Sequence, residues 1–137
     1  MELWQLGALE LADLIRKQDA TSREVLDALL ARIDAVNGDL NAVVALLPDA
    51  AAAAAAADRA VAAGELTGPL HGVPITVKEN IDVAGSATTQ GVHALAEALA
   101  PLDAPVVERM RAAGAIPFAR TNLPDFGLRV HLSLIHI

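Results

Sequence analysis

The sequence predicts an α/β fold in which a helical leader precedes a mostly parallel β-α-β-α-β core. Three short apolar runs, Val43–Leu47, Val73–Val77 and Ile116–Ala119, are typical of strands. Helical patterns fill the sequence between these runs, and strands that alternate with helices need right-handed crossover connections. The chain is 54% apolar but only 2% aromatic, which favours closely packed alanine-rich helices over a core of large rings.

Two helices are predicted ahead of the first strand. The first covers about residues 6–17, where apolar residues recur at helical spacing. The second begins with a capping box, in which Thr21 is the N-cap residue and Glu24 reaches back to it. Asn37 and Gly38 are predicted to end this second helix.

Two further helices connect the predicted strands. Asp49 is expected to cap an alanine-rich helix that ends near Gly64. Pro105 falls in the first turn of the last helix, where proline is tolerated, and Gly114 ends that helix. Four of its side chains are predicted to face inward: Val106, Val107, Met110 and Ala113.

Composition and charge exclude several classes of function. The chain has no cysteine, which excludes a disulfide framework, a thiol nucleophile and a thiolate metal site, and which fits a reducing compartment. Its net charge of −7, without a basic cluster, argues against nucleic acid contact from this segment. Residues 1–2 lack the basic start of a signal peptide, and the alanine run 50–57 is too short to span a bilayer. We therefore expect a cytoplasmic protein without membrane contact.

Lys78 is the main candidate for chemistry, because it follows the predicted strand 73–77 at the edge where open α/β sheets bind ligands. It could form a Schiff base with a carbonyl substrate or pyridoxal phosphate, bind phosphate, or act as a general base. No phosphate-binding glycine loop surrounds it. Apolar neighbours would favour the neutral amine that a general base requires. A lysine at a strand end is also often a simple surface residue, so the pattern alone leaves its role open.

Other polar residues have bland explanations as well as functional ones. Asn80 and Asp82 could hydrogen-bond around Lys78 or serve as ordinary turn residues. Asn122 could brace a catalytic loop or cap a turn. His71 is predicted to be a packed loop residue, because the histidines lack the spacing of metal ligands.

An ordered series of motifs resembles the amidase signature family. The motifs in this series are Gly68–Ile81 (GPLHGVPITVKENI), Thr88–Gly91 (TTQG), Asp103–Arg109 (DAPVVER), Ala112–Ile116 (AAGAI) and Thr121–Gly127 (TNLPDFG). The Thr-Ser-x-Glu helix start at Thr21 also resembles the leader of that family. The resemblance extends over nearly the whole chain to about His131, and a series of this length is far more specific than any single motif.

The resemblance implies the amino-terminal part of an α/β/α fold and an amidase activity. The family hydrolyses carboxamides through a Ser–Ser–Lys triad and an acyl-enzyme, without a metal or organic cofactor. By resemblance, Lys78 is the triad lysine; it deprotonates a bridging serine, which in turn activates the nucleophilic serine. The expected partner is a small-molecule amide. Two alternatives are an amidotransferase A-type subunit that acts on charged tRNA and a non-catalytic interaction module made of the leader helices.

The chain departs from the family because it carries one triad residue of three. Both serines belong to a Gly/Ser-rich segment that follows the Thr-Asn-Leu motif, and no such segment occurs before Ile137. Ser86 and Ser133 lie in the wrong context, and Ser22 fits a helix start. We therefore expect residues 1–131 to be the amino-terminal part of a single, truncated amidase domain that is inactive alone.

The last six residues do not resemble the family. Residues 132–137 correspond to the translated end of a transposase-based sequencing adapter, which predicts a non-native tail. The alternative is a genuine short apolar strand, since strands of this length are ordinary.

Overall fold

The computed structural model describes residues 2–128. Four helices and three strands follow one another in this order: α1 (Ala8–Lys17), α2 (Ser22–Leu40), β1 (Val43–Leu46), α3 (Ala50–Ala62), β2 (Pro74–Lys78), α4 (Pro105–Ala112) and β3 (Ile116–Thr121). The predicted α/β class is confirmed. The expectations for Ser133 and for a foreign tail at residues 132–137 lie outside the described residues.

The three strands form one sheet in the order β1-β3-β2. β2 and β3 are parallel, joined through α4, and Lys78 lies opposite Thr121. β1, in contrast, is antiparallel to β3, so the expectation of a second parallel crossover is wrong. One helix between two strands does not fix their relative direction, because the long loop of residues 63–73 can carry the chain back before β2 begins.

Small and medium apolar side chains build the core around β3. α2 and α3 pack against this strand through Leu26, Ala54 and Phe118. Ala54 is fully buried, and its small side chain allows α3 to approach the sheet closely. A second cluster joins Val77 of β2 to Val107 of α4. The sheet is therefore held from both the alanine helix and the crossover helix.

Some predicted element ends differ from those observed. α2 continues through Gly38 to Leu40, and Asn41 ends it in the left-handed conformation (φ of +46°). The Asn37 side chain bonds both the N–H and the carbonyl of Val43 (2.8 Å each). Asp49 precedes α3 but makes no capping hydrogen bond. On α4, Val107 is buried as predicted, whereas Val106 is 54% exposed.

His71 is packed into the loop before β2, as the sequence predicts. It is 6% exposed, and its Nδ1 accepts a hydrogen bond from the Thr67 N–H (3.0 Å). Its Nε2 lies 3.0 Å from the Ala57 carbonyl oxygen in α3. Because Nδ1 is an acceptor, the ring proton is assigned to Nε2, which donates a hydrogen bond to the Ala57 carbonyl. The ring thus ties this loop to α3.

The capping box of α2 forms as the sequence predicts. The Glu24 N–H donates to the Thr21 hydroxyl (3.0 Å), and the Thr21 N–H donates to the Glu24 carboxylate (2.8 Å). The bond from the Thr21 N–H to the carboxylate and then a second one from the Thr21 hydroxyl (2.9 Å) lower the pKa of Glu24. Because the pKa of Glu24 is lower in the folded than in the unfolded state, its carboxylate stabilises the fold at pH values above the unfolded-state pKa. This contribution is lost as the pH falls through the folded-state pKa.

We expect Thr21→Ala to lower the free energy of unfolding by about 1 kcal/mol, because the first turn of α2 loses its side-chain acceptor. Urea denaturation at neutral pH followed by circular dichroism would measure the change. Asp34→Ala, at an exposed position in the middle of the same helix, is the control and should cost much less. Equal losses for the two variants would contradict a specific capping role.

Candidate active site

Lys78 is the last residue of β2 and is exposed in the part of the chain that the structure describes. Its main chain is fixed on both sides. The strand ladder pairs it with Thr121, and its carbonyl accepts a hydrogen bond from the Ile81 N–H (3.0 Å), which closes a tight turn. The Glu79 N–H extends the ladder by donating to the Thr121 carbonyl (3.0 Å). A rigid backbone therefore carries the candidate base.

A cavity of about 310 Å³ opens beside Lys78. It is lined by β2, the following turn, α4 and the end of β3: Ile75, Thr76, Val77, Lys78, Ile81, Val106, Val107, Met110 and Thr121. Apolar side chains predominate, and the polar side chains are the amine and two threonine hydroxyls. Within residues 2–128, the outer side of β2 has no neighbouring strand. The cavity thus places one basic group against an apolar wall at an open sheet edge.

Residues 2–128 contain two serines, Ser22 and Ser86, and neither lines this cavity. The Ser22 side chain is fully buried, and its hydroxyl donates to the Gly72 carbonyl. Ser86 lines a separate cavity of about 130 Å³ together with Val83. Within residues 2–128, therefore, neither serine shares the cavity of Lys78.

Arg120 lies near the site, although the sequence patterns did not indicate it. It is the largest fully buried side chain of the described residues, 1% exposed, and its Nη2 donates to the Ile81 carbonyl (2.8 Å). Burial lowers the pKa of the Arg120 guanidinium, whereas the nearby carboxylates of Glu79 and Asp82 oppose that change. The signal that could have indicated it is the interruption of the apolar run 116–119 by an arginine.

The other polar candidates make local contacts. The Asp82 carboxylate accepts from the Thr88 hydroxyl (2.6 Å), and Asn80 is exposed. The Asn122 side chain donates to the Asn41 carbonyl (3.0 Å) and so braces the turn after α2. Asn122 also lines a third cavity, of about 380 Å³, which is more polar than the one beside Lys78 and whose wall includes Glu79.

Two other classes of site are absent from residues 2–128. No group of three or more histidine, aspartate or glutamate side chains in this range is placed to hold a metal ion. None of the helices in the same range is long and apolar enough to cross a membrane.

A family model described as Amidase matches residues 24–133, which is most of the chain. The chain belongs to the amidase family.

Individual relatives agree with this assignment. The chain is 46% identical to an indoleacetamide hydrolase of Bradyrhizobium diazoefficiens over 93% of its length and 24% of that protein. It is 43% identical to the A-type subunit of a glutamyl-tRNA(Gln) amidotransferase from Geobacter sulfurreducens, over 93% of the chain and 26% of the relative. The structure of a peptide amidase from Stenotrophomonas maltophilia superposes with a TM-score of 0.83 at 38% identity, over 89% and 26% of the two chains. The chain spans about a quarter of the length of these relatives.

Proposed function

We propose that this chain is the amino-terminal part of an amidase that hydrolyses a small carboxamide, with Lys78 as its general base. The observation that carries the proposal is the placement of Lys78 at the carboxyl end of β2, beside a mostly apolar cavity. Parallel strands present their ligand-binding residues at this edge. The relatives named indoleacetamide hydrolase and peptide amidase support a carboxamide as the substrate.

The proposed reaction uses two serines that the rest of the full-length protein supplies. Lys78 accepts a proton from the bridging serine, which takes one from the nucleophilic serine. The nucleophile attacks the carbonyl carbon, the C–N bond breaks, and the amine leaves with a proton returned along the same relay. Water then hydrolyses the acyl-enzyme. A proton from this water replaces the one lost with the amine, the carboxylic acid is released, and Lys78 and both serines return to their starting protonation states. The cycle requires no metal or organic cofactor.

The domain organisation follows from the same proposal. Residues 1–131 form the start of one amidase domain, and residues 132–137 are a tail foreign to it. The protein acts in the cytoplasm on a small-molecule amide, and this segment contacts neither nucleic acid nor membrane. The net charge of −7 supports the absence of a nucleic acid surface on this segment.

Extension of the reading frame in the source DNA tests the proposal. A serine- and glycine-rich segment should follow shortly after Val130, and the full-length protein should release ammonia from a panel of primary carboxamides that includes indoleacetamide. Absence of that segment would refute the assignment. Borohydride trapping of Lys78 with a carbonyl substrate would instead indicate a Schiff-base enzyme.

A second candidate is an amidotransferase A-type subunit, which the identity of 43% to one such relative favours. The full-length protein would then release ammonia from an amide donor for transfer to charged tRNA in the presence of partner subunits. It would hydrolyse other free amides slowly. Partner binding that survives Lys78→Ala, without any amide chemistry, would point to the interaction module.

A further inference from the structure

Arg120 combines burial with unused hydrogen-bonding capacity. Its side chain is 1% exposed, and within residues 2–128 its Nε and Nη1 have no hydrogen-bond partner, while Nη2 bonds the Ile81 carbonyl. Burying a guanidinium with two unmatched donors opposes folding, and an apolar residue of similar volume often packs as well or better. Packing alone therefore does not account for an arginine at this position.

The one side-chain hydrogen bond that Arg120 makes within residues 2–128 ends on the turn that follows Lys78. In the sheet, Arg120 pairs with Val77, one residue before Lys78. Its guanidinium reaches past Lys78 to the carbonyl of Ile81 (2.8 Å), and the Ile81 N–H donates to the Lys78 carbonyl (3.0 Å). Arg120 thus holds the far end of a turn whose first residue is Lys78.

The charge of Arg120 has a counterpart in the same turn. The Glu79 side chain is 8% exposed, and its carboxylate, with that of Asp82, favours the charged guanidinium. A cation on β3 and an anion directly after Lys78 therefore attract one another across the strand pair in a poorly solvated region. The attraction and the Ile81 bond restrain the same four-residue turn, from Lys78 to Ile81.

We propose that Arg120 is a positioning residue for Lys78. It fixes the Lys78–Ile81 turn, and so the direction in which the amine leaves the end of β2, without itself touching the substrate. This inference rests on the proposed function, because it assigns a role within the amidase reaction. Catalytic geometry is sensitive to displacements of about 1 Å, which can lower the rate about 10²-fold.

The test uses the full-length enzyme with the variants Arg120→Gln, Lys78→Ala and the double variant. Arg120→Gln should lower kcat by about 10²-fold and change KM little, because the base is displaced while the substrate cavity keeps its lining. In the Lys78→Ala background, Arg120→Gln should cause no further loss, since residues that act as one unit are not additive. An activated ester keeps the residual turnover measurable. Arg16→Gln, which removes a surface arginine on α1, is the control and should leave kcat unchanged.

Arg120→Lys provides a second test if Arg120→Gln, which removes the positive charge near the Glu79 carboxylate, does not fold. Lysine keeps the positive charge but not the planar fork, so we expect a folded enzyme with an intermediate kcat. Unchanged kcat in the folded variants, or an additive loss in the Lys78→Ala background, would overturn the positioning role. Either of these contradicting results would be seen with an active wild type and an impaired Lys78→Ala variant. If the proposed function itself were wrong, the wild type would hydrolyse no amide, so the two failures can be told apart.

Discussion

Replacement of Lys78 by alanine in the full-length enzyme is expected to lower kcat at least about 10²-fold, the lower end for removal of a general base. The free energy of unfolding should change little, because Lys78 is exposed at the end of β2 in the described part of the chain and its fixed contacts are made by the main chain. Lys78→Arg should fail similarly, since a guanidinium stays protonated and cannot accept a proton. Steady-state kinetics and urea denaturation of the same preparations measure both quantities.

The surface residue Lys17, at the end of α1, offers a matched control, and Lys17→Ala should keep wild-type turnover. The 137-residue chain itself should hydrolyse no amide, so neither Lys78 substitution should have an effect there. Amide hydrolysis by this chain that Lys78→Ala abolishes would instead identify a local hydroxyl, such as that of Ser86, as the nucleophile.

Gly114→Ala is expected to destabilise the protein by at least about 3 kcal/mol, because steric overlap adds to backbone strain. Gly114 follows α4 with φ of +94°, and a Cβ built on it would lie 2.6 Å from the Cα of His71. Its carbonyl also accepts the Gly72 N–H (2.9 Å) just before β2 begins. Backbone atoms of a packed loop cannot yield as a flexible side chain can. Thermal and urea unfolding would measure the loss.

Two other glycines separate the causes of that loss. Gly64 has φ of +75° but open space around its Cβ, so Gly64→Ala should cost only about 1 kcal/mol of backbone strain. Gly38 lies within α2, also in open space, and Gly38→Ala should stabilise the protein by about 0.5–1 kcal/mol. If Gly114→Ala cost no more than Gly64→Ala, the loop around His71 would be able to move aside.

Features that depend on neighbours in the sequence were predictable. The capping box at Thr21 and a strand before Lys78 follow from local residue order, and both are confirmed, although the strand is Pro74–Lys78 where 73–77 was predicted. The packing of His71 also follows, because a lone histidine without ligand spacing is most often a packed side chain. Residues that are close in the sequence determine these features, so they can be predicted without knowledge of the fold.

Features that depend on distant contacts were not predictable in the same way. The antiparallel direction of β1 is set by pairing with β3, which lies far away in the sequence. The surroundings of the buried Arg120 guanidinium include carboxylates at Glu79 and Asp82, which only the fold brings near. An arginine that follows an apolar run looks like a strand end when its partners are unknown. The position and the motif of Lys78 indicate its role, whereas no pattern in the sequence indicates that Arg120 bonds the turn after it.

The open side of β2 also matters for how such a chain is made. Within residues 2–128 the outer edge of β2 lacks a partner strand, and such an edge is a template for pairing with another molecule. A ribosome that adds about 5–20 residues per second leaves this edge uncovered until later segments emerge. The relatives are about four times longer than this chain, so the interval is on the order of tens of seconds. Pro74 and Lys78 lie at the two ends of β2, and both residue types discourage edge-to-edge association. The proposed catalytic base would then also protect the nascent protein from aggregation.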